Sequence, residues 1–284
     1  MSAALRLGAV AYDPKVVTIW DGFERHFAAH GLAVDTVLYG RYESLVEAHL
    51  AGHVDVAWNS PLAWLETARV APAATALVMR DTDCDLTSVV VARAGGKVGS
   101  LADLRGGKVG VGAADSPQAT LIPLLHLAEA GLEPGRDVEV VRFDVLVGKH
   151  GDHIGGERDA ARALMRGEVD AACMIDGNHA LFAREGVWPA GAVQVIAQTG
   201  AYDHCNMTVL PHAPAAEVAR FGELLLAMSF DDPAVRPLLE LEGLKQWRPG
   251  RTSGYALLER AVDRFGTLAA WMARMTNAAK AAPR

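Results

Sequence analysis

The residues from Ser116 to Thr120 have the composition of an anion-binding helix start. Ser116 can act as the N-cap of the helical pattern that follows, and Pro117 fits its first position. The backbone N–H groups of Gln118, Ala119 and Thr120 would then have no intrahelical partners. Because these donors lie at the positive end of the helix dipole, the stretch predicts a site for an anion. The alternative is an ordinary capped helix after a strand.

A second cluster combines imidazole, carboxylate and thiol groups. Its members are His150, Asp152, His153 and Glu157 in a glycine-rich loop, and His204 and Cys205 further along the chain. All are ligand types for zinc or iron, but their spacing matches no metal motif. One or two of the histidines could contact a ligand directly, or all could be solvated. We predict no metal and no cofactor, and we assign His150, His153 and His204 to the ligand-binding site.

Catalysis would need a base with a shifted pKa close to a reacting atom. Asp176, His153 and His204 are the side chains that closure of a cleft would desolvate. No sequence neighbour fixes a role for any of them, so we assign no catalytic residue and count Asp176 as ligand-binding. Cys205 beside His204 could be an activated thiol, whereas Cys173 lies in an apolar strand that is typical of a core.

The N-terminal part of the chain predicts a parallel sheet with helical crossovers. Strands at 6–11, 32–39 and 54–58 alternate with helices at 16–30 and 42–51 across short connections. Ligands of such sheets lie outside the carboxyl ends of the strands, where stacking and hydrogen bonds can hold a small molecule. The candidate residues there are Tyr12, Tyr42, Trp58, Asn59 and Ser60. Trp58 and Tyr42 could equally be core residues that end strands.

The following residues predict a second sheet and a division into two domains. The segment 167–172 repeats the pattern of 52–57, a glycine followed by x-Val-Asp, a hydrophobic residue and alanine. We interpret the strands at 87–93 and 193–199 as crossings between domains. This predicts a discontinuous first domain of residues 1–91 plus 200–284 and an inserted second domain of residues 92–199. From residue 215 onward the pattern is helical.

Composition and charge exclude several classes of protein. A chain of 284 residues with 51% apolar residues can bury two cores. The formal net charge of −7 and the lack of a basic run argue against nucleic acid as a partner. The N-terminus lacks an apolar signal segment, and no apolar run approaches the ~18 residues of a membrane helix. We therefore expect a cytoplasmic protein without membrane insertion, which three widely spaced cysteines also fit.

Five segments together resemble the type II periplasmic-binding-protein fold. Within that fold, they are similar to the solute-binding proteins of phosphate, phosphite and phosphonate transporters. The segments are residues 42–48, 52–58, 101–109, 116–120 and 167–171. The resemblance implies an α/β protein of two domains, each a mixed and mostly parallel sheet flanked by helices, with the ligand cleft between them.

The resemblance also implies which residues bind. In phosphonate-type receptors, a Ser-Thr-Ser-Gly cluster before a second-domain helix holds the phosphonate oxygens, and a histidine often begins the next helix. The matching stretch here is Ser116-Pro117-Gln118-Ala119-Thr120, which keeps the first and a later hydroxyl, and the matching histidines are His150 and His153. Because the middle of the cluster differs, a carboxylate is an alternative to the phosphonate.

These observations predict a receptor that closes by hinge motion on a small anionic metabolite, namely a phosphonate, a phosphate ester or a carboxylate. The lack of an export signal argues against a transporter partner. The alternative is a cytoplasmic enzyme on the same fold, such as a lyase or a biosynthetic enzyme, acting on a similar metabolite with or without metal assistance. The fold alone does not decide between them. The sequence predicts no oligomeric state.

Overall fold

The computed structural model describes residues 4–281, which form two compact units. Unit 1 comprises the chain up to Cys84, Asp203–Tyr255 and the chain from Leu268, and unit 2 comprises Asp85–Tyr202 and Ala256–Thr267. Residues 256–267, which the predicted division leaves with the first domain, pack with unit 2. No helix among the described residues is long and apolar enough to cross a bilayer.

The elements alternate along the chain in an α/β order. The strands are β1 (Leu5–Val10), β2 (Val34–Tyr39), β3 (Val56–Asn59), β4 (Thr75–Arg80), β5 (Ser88–Arg93), β6 (Lys108–Val111), β7 (Glu139–Arg142), β8 (Ala171–Ile175), β9 (Val193–Gln198), β10 (Asn206–Val209) and β11 (Trp247–Pro249). The helices are α1 (Lys15–Ala29), α2 (Tyr42–Leu50), α3 (Pro61–Val70), α4 (Ile122–Glu129), α5 (Gly155–Arg166), α6 (Asp176–Arg184), α7 (Ala215–Leu226), α8 (Arg236–Glu242), α9 (Ala256–Phe265) and α10 (Ala269–Ala281). Short helical turns lie at Asp81–Asp83, Leu101–Leu104, Pro117–Leu121 and Ser253–Tyr255.

Unit 1 is built on a mixed sheet in the order β11-β4-β10-β3-β1-β2. Strand β1 is parallel to β2 and β3, whereas β10 runs antiparallel between β3 and β4. Helix α1 contributes Trp20, Phe23 and Phe27 to the core, because their three- and four-residue spacing places them on one apolar face. The end of β3 leads through Ser60 directly into α3.

Unit 2 is built on a mixed sheet in the order β7-β6-β8-β5-β9. Strand β6 is parallel to β7 and β8, whereas β5 is antiparallel to β8 and β9. Val109 and Val111 of β6 share a core with Leu124 and Leu127 of α4. The carboxyl end of β6 therefore leads into a turn that is anchored by a packed helix.

The predicted α/β class with two mixed sheets flanked by helices is confirmed. Parallel pairings are fewer than predicted, because β10 in unit 1 and β5 in unit 2 each have two antiparallel neighbours. The sequence predicts only helices after residue 215, but Trp247–Pro249 pairs with β4 as an edge strand. A strand of three residues is too short to produce a recognisable periodicity.

Candidate anion-binding site

The turn at Ser116 is capped as its sequence predicts. Ser116 Oγ accepts a hydrogen bond from the Ala119 N–H at 3.2 Å, and the Thr120 N–H donates to the Ser116 carbonyl oxygen. The prediction of unpartnered N–H groups is therefore wrong at Ala119 and Thr120, because Ser116 satisfies both. A hydroxyl that accepts one bond keeps its own proton as a donor. Ser116 can thus donate to an anion through Oγ.

Thr120 supplies a second hydroxyl to the same turn. The residue is 1% exposed, and its Oγ1 has no hydrogen-bond partner among residues 4–281. Thr120 Oγ1 and Ser116 Cβ each lie 3.8 Å from the point that a Cβ on Gly112 would occupy. Ser116 and Thr120 therefore both lie beside Gly112. A buried hydroxyl without a partner costs about 1–3 kcal/mol, which a ligand oxygen would offset.

The histidine-rich loop lies against this turn within unit 2. Gln118 Nε2 donates to the Gly151 carbonyl oxygen at 2.8 Å, and the His150 N–H donates to Asp115 Oδ2 at 3.4 Å. His150 is only 1% exposed. The structure therefore brings His150 into one buried polar region with Ser116 and Gln118, which lie more than thirty residues earlier in the sequence.

His153 and Asp176 occupy more open positions in unit 2. His153 is half-buried, and its Nδ1 accepts a hydrogen bond from the Gly155 N–H at 3.1 Å, at the start of α5. Asp176 begins α6 and its side chain is exposed. The buried carboxylate nearby is Glu157, whose Oε2 accepts from Asn178 Nδ2 at 2.6 Å. Ligand contact by His153 and Asp176 stays a prediction.

Two buried hydroxyls that the sequence analysis did not assign to the site support the turn. Ser88 Oγ donates to the Gln118 carbonyl oxygen at 2.6 Å and lies 2.7 Å from the Tyr202 hydroxyl oxygen. Burial raises the pKa of Tyr202, although its bond with Ser88 acts in the opposite direction. Tyr202 is therefore a neutral donor that fixes Ser88. In the sequence, Ser88 could have been noticed as a polar residue at the start of an apolar strand.

The aromatic residues predicted for the site are packed inside unit 1. Trp58 is 5% exposed, makes edge contacts with Trp20 and Trp247, and has the Arg80 guanidinium 5.1 Å from its ring centroid. Tyr42 is 1% exposed and belongs to a second core cluster of the same unit. This packing agrees with the alternative interpretation of the sequence, in which Trp58 and Tyr42 are core residues. Ligand contact by either ring stays a prediction.

The other predicted residues of unit 1 have structural contacts of their own. Asn59 Nδ2 donates to Thr208 Oγ1 at 2.9 Å, and its buried Oδ1 has no partner within the described chain. Ser60 caps α3 by accepting the Ala63 N–H at 3.1 Å. Tyr12 is half-buried, with the Lys15 ammonium 5.9 Å from its ring centroid. These contacts fix the side chains at the end of β3.

His204 belongs to a buried polar cluster of unit 1. Its Nδ1 lies 3.0 Å from Cys205 Sγ and 3.4 Å from Asp83 Oδ1. These three groups could together hold a metal ion. However, Arg80 binds both oxygens of Asp83, at 2.5 and 3.0 Å, and its charge would repel a second cation. Burial acts to raise the pKa of Asp83, but Arg80 and His204 outweigh it and lower that pKa to about 2.

Several solved structures of other proteins have the same fold. PhnD1 of Prochlorococcus marinus, in complex with methylphosphonate, is 14% identical with a TM-score of 0.69, over 93% of this chain and 98% of that chain. A binding-protein component of the phosphonate ABC transporter of Pseudomonas aeruginosa is 13% identical with a TM-score of 0.61, over 97% and 100%. The aliphatic sulphonate binding protein SsuA of Escherichia coli is 16% identical with a TM-score of 0.60, over 94% and 93%. The fold is that of a periplasmic binding protein.

The family follows from the sequence itself. Residues 10–255 match the family described as "ABC transporter, phosphonate, periplasmic substrate-binding protein", and the chain belongs to this family. It is thus a solute-binding receptor for a small anionic ligand that works with a transporter, and the predicted receptor function is confirmed at that level.

The predicted cytoplasmic location is wrong, because the family is periplasmic. That prediction used the lack of a recognisable signal segment, and such a lack carries no information about the compartment. The argument against a transporter partner rested on the same lack of a signal segment, so it does not hold either.

Proposed function

We propose that this receptor binds the tetrahedral head group of a phosphonate through the turn at Ser116 and delivers it to an ABC transporter. Ser116 and Thr120 donate their hydroxyl protons to the ligand oxygens, and His150 completes the binding surface. The observation that carries this proposal is the buried Thr120 hydroxyl without a partner among the described residues, which lies beside Gly112 together with the side chain of Ser116. Methylphosphonate bound to a structural relative makes it the natural first probe.

The hydroxyl pair favours an anion that has several acceptor oxygens in different directions. A tetrahedral phosphonate offers three such oxygens, whereas a planar carboxylate offers two in one plane. Hydrogen bonds to charged groups are worth about 1.5–3 kcal/mol each. We therefore expect methylphosphonate to bind more tightly than acetate. Methanesulfonate, which has the same shape and one negative charge, separates the effect of shape from that of charge.

Titration calorimetry of the double variant Ser116→Ala, Thr120→Ala tests the proposal. We expect methylphosphonate binding to weaken by about 1.5–3 kcal/mol for each hydroxyl, so by about 3–6 kcal/mol in the double variant, which is roughly 150- to 25,000-fold. The matched control is Ser100→Ala, because Ser100 caps an exposed turn of unit 2 at Leu101–Leu104 and is distant in sequence from the site. Equal affinity in the wild-type protein and the double variant would remove the turn as the binding site.

Recovery of the ligand separates a receptor from an enzyme. After prolonged incubation with the protein, a receptor returns methylphosphonate unchanged, so its ³¹P resonance keeps its position and intensity. A new phosphorus resonance that depends on the protein would favour the enzyme alternative. The same sample, analysed with acetate or phosphate as a competitor, ranks the ligand classes directly.

A further inference from the structure

The loop that contains His150 has an unfavourable backbone conformation. Leu146 and His150 have φ angles of 56° and 49°, and Gly148 and Gly151 have φ angles of 91° and 80°. Left-handed conformations are unfavourable for a residue other than glycine, because its Cβ crowds the backbone. Such a loop keeps its shape only when surrounding contacts hold it.

Four hydrogen bonds hold this loop to the turn at Ser116. Asp115 Oδ2 accepts the Gly148 N–H at 2.5 Å and, more weakly, the His150 N–H at 3.4 Å. Asp144 Oδ1 accepts the Ala114 N–H at 2.8 Å. Each segment thus supplies a carboxylate to the backbone of the other, and the bond from Gln118 to Gly151 closes the contact.

Gly151 is the point of closest approach between the two segments. A Cβ at this position would lie 2.3 Å from Ser116 Oγ and 2.7 Å from Gln118 Nε2. Contacts below 3.0 Å force a displacement of the atoms involved. The atom in the way is the hydroxyl oxygen that we assign to the ligand. A glycine is therefore required at position 151 for a steric reason as well as for its positive φ angle.

We infer that Gly151 is a positioning residue for the anion site, acting through the hydroxyl of Ser116. Without a side chain, the loop can lie directly against Ser116, fixing its rotamer and bringing His150 to the same region. Asp115 also holds the loop, because its carboxylate accepts the Gly148 and His150 N–H groups. This inference rests on the proposed function, since it names the residue that holds the proposed binding group in place.

Gly151→Ala and Gly186→Ala form a matched pair for the test. Gly186 has a φ angle of 75°, close to that of Gly151, but a Cβ there would meet nothing within 4 Å. Both variants therefore bear a similar backbone cost, and only Gly151→Ala displaces Ser116. We expect methylphosphonate affinity to fall at least tenfold in Gly151→Ala and to stay within twofold of wild type in Gly186→Ala, with the melting temperature of each variant recorded.

A double-variant cycle shows whether Gly151 acts through Ser116. If it does, Gly151→Ala combined with Ser116→Ala is no weaker in binding than Gly151→Ala alone. If the fold-losses of affinity in the two single variants multiply in the double variant, the inference is overturned. Wild-type affinity in Gly151→Ala would also overturn it. Unchanged affinity in the variant Ser116→Ala, Thr120→Ala would refute the proposed function itself. Weaker binding in that variant together with wild-type affinity in Gly151→Ala would refute only the inference about Gly151.

Amide hydrogen exchange tests the same inference without a ligand. We expect exchange at the Gly148 and His150 amides to accelerate at least tenfold in Gly151→Ala and to be unchanged in Gly186→Ala. Asp115→Ala should accelerate the same two amides without adding an atom, which covers the case in which Gly151→Ala does not fold. Unchanged exchange in Asp115→Ala would overturn the view that these contacts hold the loop.

Discussion

His49 should make unit 1 sensitive to mild acid. The residue is fully buried in α2, and both of its ring nitrogens are without a hydrogen-bond partner in the described part of the chain. Burial lowers the pKa of His49 from 6.5 to about 4, and the charge of His212 acts in the same direction, while Asp55 opposes both. The folded protein therefore keeps this imidazole neutral at pH values where the unfolded chain protonates it.

The direction and size of the effect follow from this difference in pKa. Because the unfolded state binds the proton first, the contribution of His49 to stability is lost as the pH falls from about 6.5 to about 4. For pKa values of 6.5 and about 4, the loss between pH 7.5 and pH 5 is about 2 kcal/mol, and it approaches about 3.4 kcal/mol in stronger acid.

Urea unfolding of His49→Gln at pH 7.5, 6 and 5 measures this loss. Glutamine does not titrate, so the variant should lose about 2 kcal/mol less than wild type between the highest and the lowest pH. His53→Gln is the control, because His53 lies four residues away and is exposed. A wild-type pH dependence in His49→Gln would refute the reasoning, as would an equal change in the control.

Three further predictions concern buried groups elsewhere. Asp83→Asn should lower the free energy of unfolding by about 1–3 kcal/mol in urea, because the Arg80 guanidinium loses one of its two carboxylate partners and keeps Glu242 at 3.1 Å. Trp58→Phe should remove most of any fluorescence change that ligand binding causes, because the Arg80 guanidinium over its ring makes the indole sensitive to small displacements; an unchanged signal assigns it to another tryptophan. Alkylation of the native protein at pH 8, read by mass spectrometry, should label Cys84 and spare Cys173, whose pKa burial raises to about 12.

The parts of the site that sequence could predict depend on local signals. A serine followed by proline and an apolar helical pattern specifies a cap whatever surrounds it, and Ser116 caps its turn accordingly. The same holds for Ser60 before α3. The alternation of strands and helices in the first sixty residues is equally local, which is why the α/β class could be predicted from it.

The contacts that complete the site are long-range and leave no local signal. Asp115 and His150 are separated by 35 residues, and nothing in either segment indicates that a carboxylate of one binds the backbone of the other. The same is true of Arg80 and Glu242, which are 162 residues apart. Sequence reasoning therefore named His150 as a candidate, and its ligand contact stays a prediction, but it did not identify Asp115 as the acceptor of the His150 N–H.

Under the proposed function, the chemistry of the turn explains how a protein with a net charge of −7 can hold an anion. The binding groups proposed here are hydroxyls on a buried turn, and the loop contacts hold them before any ligand arrives. Preorganised neutral donors lose little freedom on binding, so their hydrogen bonds contribute to affinity without a strong positive field. A transport receptor must also release its ligand. Recognition by a few neutral donors, each worth about 1.5–3 kcal/mol, keeps the total binding free energy small enough for release.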